Sequence, residues 1–167
     1  MSANSLDLPL LTRRAALAGL GLTLLSGCTT VAVLEPEPGN SNDHTKTVLP
    51  LINKLRAAKK LPPLVEDKAA IAAAVDQANR MAKAGEMSHE LKSEDDFTSR
   101  MNRMGVRLQA AENIATGQET AERAFQAWVH SPKHLKNMLG PYKGLGVAVS
   151  QNSASDNRPF WSMVLSN

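Results

Sequence analysis

The chain has 167 residues, 19 Lys/Arg against 16 Asp/Glu for a formal net charge of +3, only 4% aromatic residues and a single cysteine. Its basic residues are scattered through helical patterns instead of gathered into a stripe, which leaves nucleic acid without an electrostatic footprint. One thiol rules out an intrachain disulfide, the usual staple of a small exported domain.

Residues 1–27 read as an export signal: Arg13 and Arg14 precede "AALAGLGLTLLSG", an apolar run too short to span a bilayer as a mature helix. "TRRAAL" resembles the twin-arginine signal of bacteria, although the general secretory route tolerates the same charges. "LLSGC", residues 24–28, resembles the lipobox of bacterial lipoproteins, which implies an acylated Cys28 at the mature N-terminus. Thr29 follows where an aspartate would favour the inner membrane, so that resemblance points to the periplasmic side of the outer membrane. Loss of Arg13, Arg14 and Asp7 with the signal lowers the formal charge to +2, enough only for weak attraction to anionic lipid or glycan.

Residues 28–46 alternate Pro and Glu before a run of small polar residues, and they lack the apolar content that would offset the entropy of ordering them. This segment is expected to be a tether, with His44 among solvated residues. Residues 47–167 remain as one domain with one modest core.

The domain begins with helical periods. Thr47 is positioned to cap a helix carrying Val48, Leu51, Ile52, Leu55 and Ala58, with Pro50 early enough that its missing N–H costs nothing; "LPPL" must end it. A second helix starts near Asp67, carries Ile71, Ala74, Val75, Ala78, Met81 and Ala82, and closes at Gly85. Its alanines favour helix and permit close packing. Ser93 and Asp96 form a predicted capping box before Phe97, Met101 and Met104, with Gly105 as the stop. Thr120 opens a segment in which Ala121, Ala124, Phe125 and Trp128 recur at helical spacing.

"HSPKHLKNML", residues 130–139, then starts a short helix: Ser131 as N-cap, Pro132 at the first position, and Leu135, Met138 and Leu139 as the buried stripe before Gly140-Pro141. His134 falls at the third helical position, beside the positive helix end, which favours a neutral imidazole. His130 faces elsewhere and does not pair with it. Finally "GLGVAVS" and "FWSMVLS" read as an antiparallel strand pair. In the second, Phe160, Ser162, Val164 and Ser166 alternate with Trp161, Met163 and Leu165, so apolar residues on both faces call for a helical layer on each side of the sheet.

"MSHE" (87–90), "AENIA" (111–115), "AFQAWVHSPKHLKNML" (124–139), "GLGVAVS" and "PFWSMVL", in that order, resemble the successive blocks of the CAP superfamily of cysteine-rich secretory, antigen 5 and pathogenesis-related proteins, in its bacterial branch without disulfides. The resemblance implies an α+β fold, an α-β-α sandwich with a small antiparallel sheet between helical layers. It also implies a cleft that in the family carries two histidines and two glutamates, with zinc or another divalent ion in some members.

Carried over residue by residue, that cleft keeps His89 and Glu112, has Ser131 at the second glutamate position and Phe160 at the second histidine position. His134 belongs to the "SPxH" block expected near the same cleft, and Trp161 is a candidate for its edge. Glu112 is placed to orient the His89 imidazole, leaving the other nitrogen for ligand or water. His89, Glu112 and His134 are the weak metal candidates, with no resident cofactor expected and at most a loosely held zinc or other divalent ion.

Asn113 is expected to organise its loop and Trp128 to be core. The chain has no H-E-x-x-H, no nucleophile elbow and no thiol for catalysis beyond Cys28. The expected function is therefore a non-enzymatic envelope lipoprotein that is membrane-bound through Cys28 and binds lipid, a peptidoglycan fragment or an envelope protein. Peptidase-like hydrolysis through His89 and Glu112 and a purely structural interaction module are the alternatives.

Overall fold

A computed structural model describes residues 41–92 and 96–167, so the signal, Cys28, most of the tether and Ser93 lie outside the described residues. Among the described residues five α-helices and five strands follow in the order β1 (Ser41–Asp43), α1 (Thr45–Ala58), β2 (Val65–Glu66), α2 (Lys68–Ala84), α3 (Phe97–Arg103), β3 (Ala111–Thr116), α4 (Ala121–Val129), α5 (Pro132–Met138), β4 (Gly144–Ser150) and β5 (Phe160–Ser166). The strand order across the sheet is β1-β4-β5-β3 with neighbours antiparallel, and β2 adds a short parallel pairing to β4. No helix among the described residues is long and apolar enough to cross a membrane.

The two faces of β5 separate as its alternation requires. Trp161, Met163 and Leu165 pack with Val48 and Ile52 of α1, Phe125 and Trp128 of α4, and the odd-numbered residues of β4. On the opposite face Val164 and Ala148 meet the alanines of α2 and Met101 of α3, while Phe160 joins Met81, Ala82 and Ile114. Helices therefore cover both faces, which is the α-β-α sandwich.

Small residues set the spacing of the α2 layer. Ala70, Ala73, Ala74, Ala78 and Ala82 are buried there, and opposite them β4 presents Gly144, Gly146 and Ala148. A Cβ at Gly146 would overlap the backbone of Ala70 and Ile71, so only glycine permits this approach. The buried stripe is turned by about one residue from the expected one, leaving Ile71 and Val75 half-buried.

Asp67 caps α2 by accepting from the amides of Ala69 and Ala70, and Gly85 ends it in the left-handed conformation. Asp96 caps α3 through Ser99, and Thr120 caps α4 through Arg123.

The N-terminal boundary departs from expectation. Ser41–Asp43, read as tether, pairs with Ser150–Ala148 of β4. Helix α1 starts at Thr45 with His44 in the cap position, instead of being capped by Thr47. Pro50 is consequently the sixth residue of α1 and leaves the Lys46 carbonyl without its i+4 donor, on an exposed turn. His44 is not solvated: its ring lies 5.2 Å from that of Trp161, and its Nε2 is buried. Burial lowers its pKa below the usual imidazole value, against the opposing pull of Asp43 and Glu122.

At the other end of α1 the buried Arg56 donates to the carbonyls of Pro62, Met138, Gly140 and Tyr142. It thereby satisfies carbonyls that α5 and its following turn leave without helical partners.

Candidate functional site

Strand β3 forms the sheet edge opposite β1, and the cleft runs along it. The segment between α2 and α3 lies on one side: Gln77 of α2 donates to the Ser88 carbonyl at 2.7 Å, and the Ser88 hydroxyl bonds the Glu90 backbone. This fixes "MSHE" over β3. Helix α5 lies on the other side, held by Asn113 of β3, whose Nδ2 donates to the His134 carbonyl at 3.1 Å and whose Oδ1 accepts from Asn137 at 2.9 Å. Asn113, expected to organise its loop, lies instead within strand β3, and the element it holds is α5.

Between these walls is a cavity of about 480 Å³ lined by Met87, Ser88, His89, Glu90, Ile114 and His134. A second, of about 230 Å³, shares Met87, Ile114 and His134 and continues past Thr116 to Gln118, Trp128 and Ser131. His89 and His134, 45 positions apart in sequence, face the same space.

His89 Nδ1 lies 2.9 Å from Glu112 Oε1, which leaves Nε2 as the nitrogen available to a ligand. The His89 side chain is 51% exposed and that of Glu112 only 1%. His134 has its pKa lowered by burial first and by the neighbouring His89 second, so both causes favour the neutral ring. The expected direction holds, with burial as its leading cause.

Arg100 was not singled out in the sequence, and it changes the chemistry. From α3 its NH1 and NH2 reach both Glu112 oxygens at 2.9–3.1 Å, and NH2 also donates to the His89 carbonyl at 3.2 Å. Its side chain is 1% exposed, with the guanidinium carbon 5.8 Å from the centre of the Phe97 ring. A signal existed: Arg100 lies inside the Phe97, Met101, Met104 stripe, and a cation on a buried stripe needs a buried anion.

The paired guanidinium competes for both Glu112 oxygens and leaves the carboxylate poorly suited to metal ligation. Among the described residues no group of three or more His, Cys, Asp or Glu is arranged to hold a metal ion. His89 and His134 therefore face one cleft, with Glu112 buried behind His89 and lining neither cavity, and the three do not form a ligand set.

Two expected cleft residues are elsewhere. Phe160 is buried against Met81 and Ala82 and meets the cleft only through Ile114, which packs with it. Trp161 is fully buried on the opposite face of β5, and its Nε1 donates to the Gln118 carbonyl at 2.7 Å. The reason is topological: β5 is an interior strand between β3 and β4, so its side chains do not reach the open edge. Ser131 does line the smaller cavity, but its hydroxyl makes no capping bond to α5. Trp128 is core, as expected, and also borders that cavity.

The family model described as "CAP: Cysteine-rich secretory protein family" matches residues 49–165. The uncharacterized protein YkwD of Bacillus subtilis (strain 168) is 29% identical over 125 residues, covering 74% of this chain and 49% of that protein. The chain therefore spans about half the length of this relative. An extracellular protein containing an SCP domain from Bacillus anthracis superposes with a TM-score of 0.63 at 27% identity, covering 73% of this chain and 39% of that one. An outer surface protein from Borrelia burgdorferi gives a TM-score of 0.66 at 20% identity over 77% of this chain and 98% of that one, a likeness of fold.

Proposed function

We propose, for a chain that belongs to the CAP or cysteine-rich secretory protein family, a binding role at the bacterial cell envelope, with the cleft along β3 as the binding site. Arg100 carries this reading. By pairing with both oxygens of Glu112 it leaves that carboxylate to orient His89 instead of acting as a base or a metal ligand. What faces the cleft is then one imidazole nitrogen of His89, the His134 ring, uncharged walls formed by Met87, Ile114 and Ser131, and the exposed Glu90 as the acidic residue of the lining.

Such a surface suits a ligand held by hydrogen bonds and apolar contact. The ligand classes in view are a lipid, a peptidoglycan fragment or another envelope protein. Export to the envelope is in keeping with the extracellular and outer-surface proteins whose folds are similar.

Anchoring through an acylated Cys28 is part of the proposal and rests on "LLSGC". Cys28→Ser should move the protein from membrane to soluble fractions, and unchanged membrane association would remove the anchor from the proposal. The binding role is tested by mass spectrometry of small molecules that copurify with gently isolated protein, compared with the His89→Ala and His134→Ala variants. A reproducible ligand lost from folded variants is the expected result, and a ligand retained equally by both variants would place binding outside the cleft.

A further inference from the structure

Deepening the cleft reading on which it rests, we infer that the outer edge of β3 takes the main chain of an extended peptide as an added strand. The register of β3 against β5 decides which backbone groups are available. The Gly117 amide donates to the Pro159 carbonyl, which makes the odd-numbered residues of β3 the ones that bond β5. The N–H and C=O groups of Glu112, Ile114 and Thr116 consequently point away from the sheet, toward the open edge. Among the described residues nothing hydrogen-bonds the outward amides of Ile114 and Thr116. They stand about 7 Å apart, the two-residue repeat that an extended chain matches with its own carbonyls.

A second observation points the same way. Gln118 and Trp128 border the smaller cavity at the Thr116 end of this edge, and Gln118 Oε1 and Trp128 Nε1 are buried without a hydrogen-bond partner. One is an acceptor and the other a donor, and a peptide main chain carries the kind of partner that each lacks. The Ser131 hydroxyl, unused as a cap, borders the same space. Apart from His134 the lining there carries no titratable group, which fits a neutral main chain better than a charged headgroup. Side chains of the added strand would alternate between the walls formed by the segment before α3 and by α5.

The test uses the full chain and a phage library of random all-L dodecapeptides, followed by synthesis of the selected sequence. Thr116→Pro removes the outward N–H without removing a bond to β5. Thr116→Val loses the same hydroxyl, which bonds the Pro159 carbonyl, but keeps that N–H. The proline variant should weaken binding about tenfold or more and the valine variant less than about threefold, as expected for a lost backbone hydrogen bond.

Independently of any variant's folding, replacing single peptide amides by esters should weaken binding to the wild-type protein at every second position. Equal binding by Thr116→Pro, an ester series without that period, or failure to select any peptide would overturn the inference. Binding of phosphatidylethanolamine vesicles or N-acetylglucosamine oligomers that is lost in His134→Ala but unaffected by Thr116→Pro would overturn it while leaving the cleft reading intact.

Discussion

Replacing Arg100 by leucine tests the central feature of the site. Both members of the Arg100–Glu112 pair are 1% exposed, and without the guanidinium the carboxylate loses its hydrogen-bonded cation and keeps the bond to the His89 ring. Breaking a buried pair from one side costs about 3–5 kcal/mol, because the remaining charge has lost both water and counter-ion. With an unfolding entropy of about 2.1 cal/mol/K per residue over roughly 120 residues, a loss near 4 kcal/mol corresponds to a fall in Tm of about 15 °C.

The double variant Arg100→Leu/Glu112→Leu removes both charges and should recover most of this, ending within about 2 kcal/mol of the wild type. Arg100→Lys should fall between, since an ammonium lacks the fork that reaches both oxygens. Urea titration followed by circular dichroism gives all four stabilities. A loss below about 1 kcal/mol in Arg100→Leu, or a double variant no more stable than the single, would refute the electrostatic account.

Three further outcomes are expected. His44 and His134 both have folded-state pKa values lowered from the usual imidazole value, so the unfolded chain binds more protons in acid. Their contribution to stability is complete above about pH 6.5 and falls as pH drops through that value toward the folded-state pKa values. The urea midpoint should decline from pH 7.5 to pH 5, less steeply in His44→Gln, and a midpoint that rises on acidification would contradict the assignment. Gly146→Ala should cost about 2 kcal/mol or more, read by the same titration, since α2 would have to move off β4. Elemental analysis after dialysis should find zinc well below one equivalent; stoichiometric zinc that is lost in His89→Ala would reverse the reading of the donor set.

The sequence made the helices and β5 legible because each carries its own period: alanines and Met81 along α2, the Phe125 and Trp128 stripe of α4, the two-face alternation from Phe160 to Ser166. Strand β3 was not legible as a strand. "AENIAT" contains poor strand formers, and its strand character comes from pairing with Leu165–Phe160, some fifty residues later. Strand β1 hides in the same way, since Ser41, Asn42 and Asp43 are turn formers paired by backbone alone.

His89 and Glu112 were readable only through the order of the motif blocks, and their meeting at 2.9 Å follows from the fold. Phe160 and Trp161 show the limit of alternation. It assigned them to opposite faces correctly, but it carries no information about whether a strand is interior or at the edge. Arg100 was the opposite case, a local anomaly on an apolar stripe whose partner lay beyond any local window.

The order β1-β4-β5-β3 also has a mechanical consequence. A pull along the backbone from residue 40 reaches the described domain at Ser41 and is taken up by the β1–β4 ladder and by His44 against Trp161. The cleft strand lies at the far edge, with β4 and β5 between it and the loaded strand. Tension on the N-terminal segment would therefore be met first by the β1–β4 ladder and by Trp161, and would reach the cleft only where Trp161 bonds the Gln118 carbonyl, not along the β3 edge itself.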